Sequence, residues 1–259
     1  MTNVPVVLLA GGLGTRLREE TDVKPKPMVD IGGRPILWHI MKMYGSHGFN
    51  EFVICLGYKG EIIKEFFLDY HLKSRNLTID LRTGGIDSHG DGLKEDWRVN
   101  LLDTGGATLT GGRVKRAAEY VGRRRFMMTY GDGVSDLDIR DLLAFHERCG
   151  KLATITAVRP PARFGGLKIE DDLVLSFEEK PQVGEGWING GFMVFEPEVA
   201  DYIEGDSTVL ERAPLEQLAA HGQLAAYRHD AYWQCVDTVR DLTALRELWD
   251  SHAAPWKTW

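Results

Sequence analysis

The stretch from Val4 to Ala10 is a nearly continuous apolar run that stops at Gly11-Gly12, and it constrains the fold more than any other segment. Such a run has no polar face to turn toward water, so it reads as a strand covered on both sides, as in the interior of a parallel sheet. Behind Gly32-Gly33 and Pro35, the residues Ile36, Leu37, Ile40, Met43 and Tyr44 recur at helical spacing. The unit then repeats: Glu51 to Leu56 predicts a strand and Glu61 to Tyr70 a helix, with Gly57 and Gly60 between them. Further on, the pattern predicts a helix capped by Thr110 and running to about Val121, and a strand over Phe126 to Tyr130. A helix opened by Asp138 and ending at Cys149 and a strand over Leu152 to Val158 follow. Alternation of this kind implies a Rossmann-like α/β fold, an open, mostly parallel mixed sheet with helices on both faces. The last third is less regular, with short strands at 167–170, 173–178, 191–195 and 223–228 among helices near 198–204, 211–221 and 238–250. The segment Thr83 to Trp97 is polar and glycine-rich and reads as an exposed loop or an oligomer contact.

Charge and cysteine content exclude several function classes. Lys and Arg number 31 against 38 Asp and Glu, a net charge of −7, which argues against nucleic-acid or anionic-membrane binding. No run approaches the roughly 18 apolar residues of a membrane span. Cys55, Cys149 and Cys235 are odd in number and far apart, so neither a metal knuckle nor a disulfide framework is available, and a reducing, cytoplasmic setting is expected. Glycine is the unusual component, 29 of 259 residues against roughly 7% in average usage.

Part of that excess follows the first strand, in LLAGGLGTRL at 8–17. The segment has neither the GK[ST] ending of a P-loop nor the last glycine of GxGxxG. It lies where open α/β sheets bind ligands, at the carboxyl end of an inner strand. Gly11, Gly12 and Gly14 allow backbone N–H groups to approach an anion, and Arg16 adds a guanidinium fork suited to phosphate. Ten residues later, KPKP at 24–27 holds Lys26 in a rigid loop. Alone, these features equally describe a tight turn with a surface arginine and a solvated basic loop. Asp132 and Asp237, each after a short predicted strand, offer hard oxygens for Mg²⁺, or equally turn and cap residues, with Asp237 a candidate cap of the last helix.

Taken together, GGLGTRL followed by KPKPM resembles the signature of the sugar-nucleotide pyrophosphorylases, the nucleotidyltransferases that make NDP-sugars. TYGDG at 129–133, FEEKP at 177–181, INGGF at 188–192 and WQCVDT at 233–238 continue the resemblance in family order. The chain is similar to the glucose-1-phosphate cytidylyltransferase branch in EETDVKPKPMVDIGGRPILWHIMKMY, LLDTGGATLTGGRVKR, PPARFGGL and APWKTW. It departs from thymidylyl and uridylyl relatives, which carry P-x-T where Glu19-Glu20-Thr21 stands, and from close relatives in having Ala107 in place of a hydroxyl residue.

The resemblance implies one nucleotidyltransferase domain over 1–259, with a nucleotide-binding part at about 1–135 and a sugar-phosphate part at about 136–259. It implies that CTP is held by Leu9, Ala10, Gly11, Gly12, Leu13, Gly14, Thr15 and Arg16 together with Lys26, Ala107, Gly112, Arg113 and Gly131. The partner substrate, α-D-glucose 1-phosphate, is expected at Glu179, Lys180, Asn189 and Gly190, and Mg²⁺ on Asp132 and Asp237. Arg16, Lys26, Asp132 and Asp237 are the implied catalytic set, producing CDP-glucose and pyrophosphate. The eight scattered histidines fit structural roles; Trp249, Trp256 and Trp259 read as packing or lining a subunit contact rather than binding sugar, and an exposed aromatic C-terminus suggests a homo-oligomer.

Overall fold

Strand β1, Val6–Leu9, is buried at all four positions, and its side chains divide between two cores. Val6 and Leu8 join Phe52 and Ile54 in one cluster, while Val7 and Leu9 join Val53 and Cys55 in the other. This is the two-residue alternation of a strand with an apolar layer on each side, which is why the run carries no polar residue. The computed structural model describes residues 4–92, 95–160, 166–170, 173–178 and 186–259. Its central sheet has seven strands: β1, β2 (Glu51–Leu56), β3 (Arg98–Asp103), β4 (Phe126–Tyr130), β5 (Ala153–Val158), β6 (Ile188–Phe195) and β7 (Leu224–His229). Their order is β7-β5-β6-β4-β1-β2-β3. β1 is parallel to β2 and β4, β2 to β3, and β5 to β7, whereas β6 runs antiparallel to both of its neighbours.

Helices cover both faces, as the alternation predicts. Helices α1 (Ile36–Ser46), α4 (Ile139–Cys149) and α6 (Val239–Asp250) bury Ile36, Ile40, Ile139, Leu142, Leu242 and Leu245 in the first core; α3 (Thr110–Tyr120) and α5 (Ala213–Ala220) bury Val114, Ala117, Leu215 and Leu218 in the second. A further helix, α2 (Gly60–Leu68), follows β2. Asp138 caps α4 through Arg140 N and Asp141 N. Three local expectations are corrected. Thr110 is the first residue of α3 rather than its cap, since the preceding Leu109 is the cap and makes no side-chain bond. Thr238, in a reciprocal capping box with Asp241, caps α6 instead of Asp237. The expected loop at 83–97 contains Gly85–His89, which pairs with Asn76–Asp80 in an exposed hairpin. Strand β3 escaped prediction because RVNLLD is only partly buried at the edge of the sheet.

The C-terminal aromatics fold back instead of standing out. Trp256 is fully buried, stacked near Tyr232 and Trp249, and donates Nε1–H to Nδ1 of His39 at 3.4 Å. His39 in turn donates Nε2–H to the Ile31 carbonyl at 2.9 Å, so its partners require the neutral tautomer protonated on Nε2. Burial pushes the His39 pKa down to about 4 against the opposing hydrogen bond to Ile31. The unfolded chain would protonate it near 6.5, so between these values the unfolded state binds more protons and stability falls as pH falls. Denaturant titrations are expected to show about 3 kcal/mol of this loss by pH 4, and the His39→Gln variant a shallower slope; equal slopes would remove His39 as the cause. Among the described residues no helix is long and apolar enough to cross a membrane.

Candidate active site

The loops after β1, β3 and β4 meet at one edge of the sheet, the carboxyl edge where α/β folds bind ligands. They line a cavity of about 560 Å³. Leu9, Ala10, Gly11, Gly12, Leu13, Gly14, Thr15, Lys26, Ala107, Arg113 and Gly131 all lie in its wall. Gly112 does not; it is buried, and a Cβ there would meet Asp206 Cα at 2.6 Å. Gly14 has φ +63°, a left-handed conformation that glycine adopts without penalty. Thr21 then pins the turn by donating its hydroxyl to the carbonyls of Gly14 (3.0 Å) and Leu17 (2.8 Å). Arg16 lies in the 3₁₀ turn Thr15–Leu17 directly behind Gly14; its side chain lies outside what the structure describes.

Arg113 enters from the first turn of α3 and is nearly fully buried. Its Nη1 donates to the Leu56 carbonyl at 2.7 Å and to Thr104 Oγ1 at 2.5 Å, and its Nη2 to the Gly11 carbonyl at 3.1 Å. Those oxygens belong to the ends of the adjacent strands β1, β2 and β3, so one guanidinium ties together the three loops at the cavity floor. A Cβ on Gly11 would stand 2.2 Å from Nη1. Three of its five N–H donors are thereby committed to backbone and threonine oxygens, so Arg113 holds the floor of the cavity together as well as lining it.

Asp132 and Asp237 reach one point through a pairing that no local pattern announces. Gly133–Ser135 and Trp233–Cys235 form a short antiparallel ladder with Cys235 opposite Gly133, and Val236 N donates to the Asp132 carbonyl at 2.9 Å. Between the two carboxylates sits Lys26, whose Nζ donates to Asp132 Oδ2 at 2.7 Å and Asp237 Oδ1 at 2.8 Å. Pro25 and Pro27 bracket Lys26, which opens a 3₁₀ turn where the sequence predicts a rigid loop. Burial works against the Lys26 ammonium, but Asp132 and Asp237 outweigh it and hold its pKa above the usual lysine value. Among the described residues no group of three or more His, Cys, Asp or Glu is arranged to hold a metal. Two carboxylates together with substrate phosphates are, however, the usual donor set for Mg²⁺, so Asp132 and Asp237 fit that ion.

A second cavity, of about 470 Å³, adjoins the first and shares Tyr130 and Asp132 with it. Asn189, Gly190, Glu211, Trp233 and Asp237 line it. Asn189 Oδ1 accepts from Gly191 N at 2.9 Å, and Trp233 Nε1 donates to the Gly190 carbonyl at 2.7 Å, which fixes this wall. Glu179 and Lys180 lie outside the described residues. Sequence reasoning passed over Tyr130, Thr104, Glu211 and Trp233. Tyr130 was within reach because it belongs to TYGDG, and Trp233 opens WQCVDT; Glu211 and Thr104 stand in no recognised motif.

With this geometry in view, comparison with known proteins is informative. The nucleotidyl transferase family model matches residues 5–252. Glucose-1-phosphate cytidylyltransferase of Salmonella typhi is 53% identical over 254 residues, covering 98% of both chains. The probable glucose-1-phosphate cytidylyltransferase of Bacillus subtilis is 44% identical over 254 residues, covering 98% of this chain and 99% of its own. Among solved structures, HddC of Yersinia pseudotuberculosis superposes with a TM-score of 0.69 at 26% identity, over 95% of this chain and 99% of that one. By its sequence, its sheet and the placement of its strand-end loops, the chain belongs to the nucleotidyl transferase family, in the group of the glucose-1-phosphate cytidylyltransferases.

Proposed function

We propose that the protein transfers the cytidylyl group of CTP to α-D-glucose 1-phosphate, giving CDP-glucose and pyrophosphate. The chemistry is carried by one observation, Lys26 held between Asp132 and Asp237 where the two cavities meet. Kinship with the glucose-1-phosphate cytidylyltransferases supplies the substrates. In this reading the cavity behind β1 takes CTP and the adjoining one the sugar phosphate, so about 1–135 is the nucleotide part and about 136–259 the sugar-phosphate part of one domain.

A phosphate monoester has a second pKa of about 6, so the attacking oxygen is anionic at neutral pH and no side chain has to remove a proton. Its lone pair forms the new bond at the α-phosphorus while the bond to pyrophosphate breaks, and pyrophosphate departs with those electrons. The protein's task is in-line alignment and neutralisation of converging negative charge. Backbone N–H groups of Gly11 to Gly14, with Arg16, hold the triphosphate and the departing pyrophosphate. Lys26 stabilises charge on the α-phosphate, whose oxygens offer its ammonium the same kind of partner as the carboxylates. Lys180 holds the phosphate of the sugar phosphate and Glu179 and Asn189 its hydroxyls, with Gly190 beside them. Mg²⁺, held by Asp132 and Asp237, supplies further positive charge against the repulsion between the two substrates. With Ala107 in the wall, the base contact there is made by backbone or methyl.

A homo-oligomer belongs to the same reading, supported by the hairpin that exposes Leu77, Ile79 and Ile86; three free thiols fit a reducing cytoplasm. The test is pyrophosphate release from CTP, UTP, dTTP and GTP, each with a panel of sugar 1-phosphates and Mg²⁺. CTP with glucose 1-phosphate is expected to lead in kcat/KM by about tenfold or more. Equal use of UTP would overturn the choice of base, and no turnover with any pair would overturn the transfer itself.

A further inference from the structure

Glu211, in the segment leading into α5, lines the second cavity. Its Oε1 accepts the Tyr130 hydroxyl, and its Oε2 accepts Thr110 Oγ1–H at 2.7 Å. Thr110 Oγ1 also accepts from Leu210 N at 2.9 Å, so the carboxylate is held from the end of β4 and from the start of α3. In the Tyr130 pair the phenol is the donor, because an ionised carboxylate only accepts. An ionised carboxylate has about four acceptor positions. The two protein donors use half of them, leaving each oxygen one lone pair in a side chain that lines the cavity.

The other carboxylates in that wall, Asp132 and Asp237, face the Lys26 ammonium, while Asn189 Oδ1 and the Gly190 carbonyl each take one donor of the wall, Gly191 N–H and Trp233 Nε1–H, and keep a second lone pair beside Glu211. A sugar brings hydroxyl donors, and a rigidly held carboxylate is the group that distinguishes a hydroxyl from its absence, because removing one partner leaves the other unsatisfied. Resting on the assignment of this cavity to the sugar phosphate, we propose that Glu211 selects the sugar by accepting a hydrogen bond from one hydroxyl of the hexose 1-phosphate.

The test is a cycle between protein and substrate. Wild type, Glu211→Ala and Tyr130→Phe are assayed with glucose 1-phosphate and its 2-, 3-, 4- and 6-deoxy analogues at saturating CTP. Glu211→Ala is expected to lower kcat/KM for glucose 1-phosphate about 10- to 100-fold with KM for CTP changed less than about twofold. For one analogue, the wild type and Glu211→Ala should have nearly equal kcat/KM, while Tyr130→Phe, which keeps the carboxylate, still discriminates against that analogue. A penalty equal across all five sugars and reproduced by Tyr130→Phe would make Glu211 a mere support for the phenol and overturn the proposal. A wild type that turns over no hexose 1-phosphate would overturn the function reading and this inference with it, a result distinct from an active enzyme with additive penalties.

Discussion

Replacing Lys26 with alanine is expected to lower kcat by about 10²- to 10³-fold at saturating CTP and glucose 1-phosphate, the usual consequence of deleting one preorganised group that meets developing charge. The expectation follows from its position, with Nζ 2.7 and 2.8 Å from the two carboxylates at the junction of the cavities. Alanine would remove the ammonium and leave Asp132 and Asp237 without the cation between them, so a Mg²⁺ titration of the Lys26→Ala variant separates the two effects. If repulsion between the carboxylates alone caused the loss, saturating Mg²⁺ would restore kcat; if the ammonium acts on phosphate, it would not. Pyrophosphate release with both substrates saturating is the measurement. A loss below about threefold would exclude Lys26 from the machinery.

Arg113→Met is expected to destabilise the protein by about 3 kcal/mol, or roughly 6–10 °C in Tm for a chain of this size. The side chain removed is almost wholly buried, and it takes its donor from Thr104 Oγ1 and one donor each from the Leu56 and Gly11 carbonyls, which keep Thr104 N–H and Oγ1–H and Tyr58 N–H respectively. Because these oxygens tie β1, β2 and β3 together beneath the first cavity, the KM for CTP should rise more than that for glucose 1-phosphate. Arg113→Lys, able to reach fewer of the three acceptors with one ammonium, should fall between. Calorimetry with initial-rate kinetics for each substrate checks both parts; an unchanged Tm with normal KM for CTP would show that the tie is dispensable. Gly11→Ala should resemble Arg113→Met, since the added Cβ and the guanidinium would compete for the same space.

How legible these features were depends on the range of the interactions that build them. The doubly buried run of β1 and the helical spacing of Ile36, Leu37 and Ile40 record local periodicity against two apolar layers, and both are visible in a short window. The rigidity of the loop around Lys26 is legible for the same reason, because flanking prolines restrict φ whatever packs nearby, although its 3₁₀ form is not. β3 was missed because an edge strand with partly buried alternation carries little signal. Whether the C-terminal tryptophans pack inside or line a subunit contact stays open in the sequence because a buried aromatic and an exposed one are identical as letters; the contacts of Trp256 with His39, Tyr232 and Trp249 place it inside.

By itself the sequence determined the α/β class, the order of its main elements, the glycine turn after the first strand and the family motifs, all properties of contiguous residues. The tertiary structure alone decided that Asp132 and Asp237 meet on Lys26, that Arg113 spans three strand ends, and that Glu211 joins Tyr130 and Thr110 at the wall of the second cavity. The physical reason is that these encounters depend on backbone ladders such as 133–135 with 233–235. Their hydrogen bonds are made by the main chain, which is the same for nearly every residue and leaves little trace in the identity of the side chains it brings together.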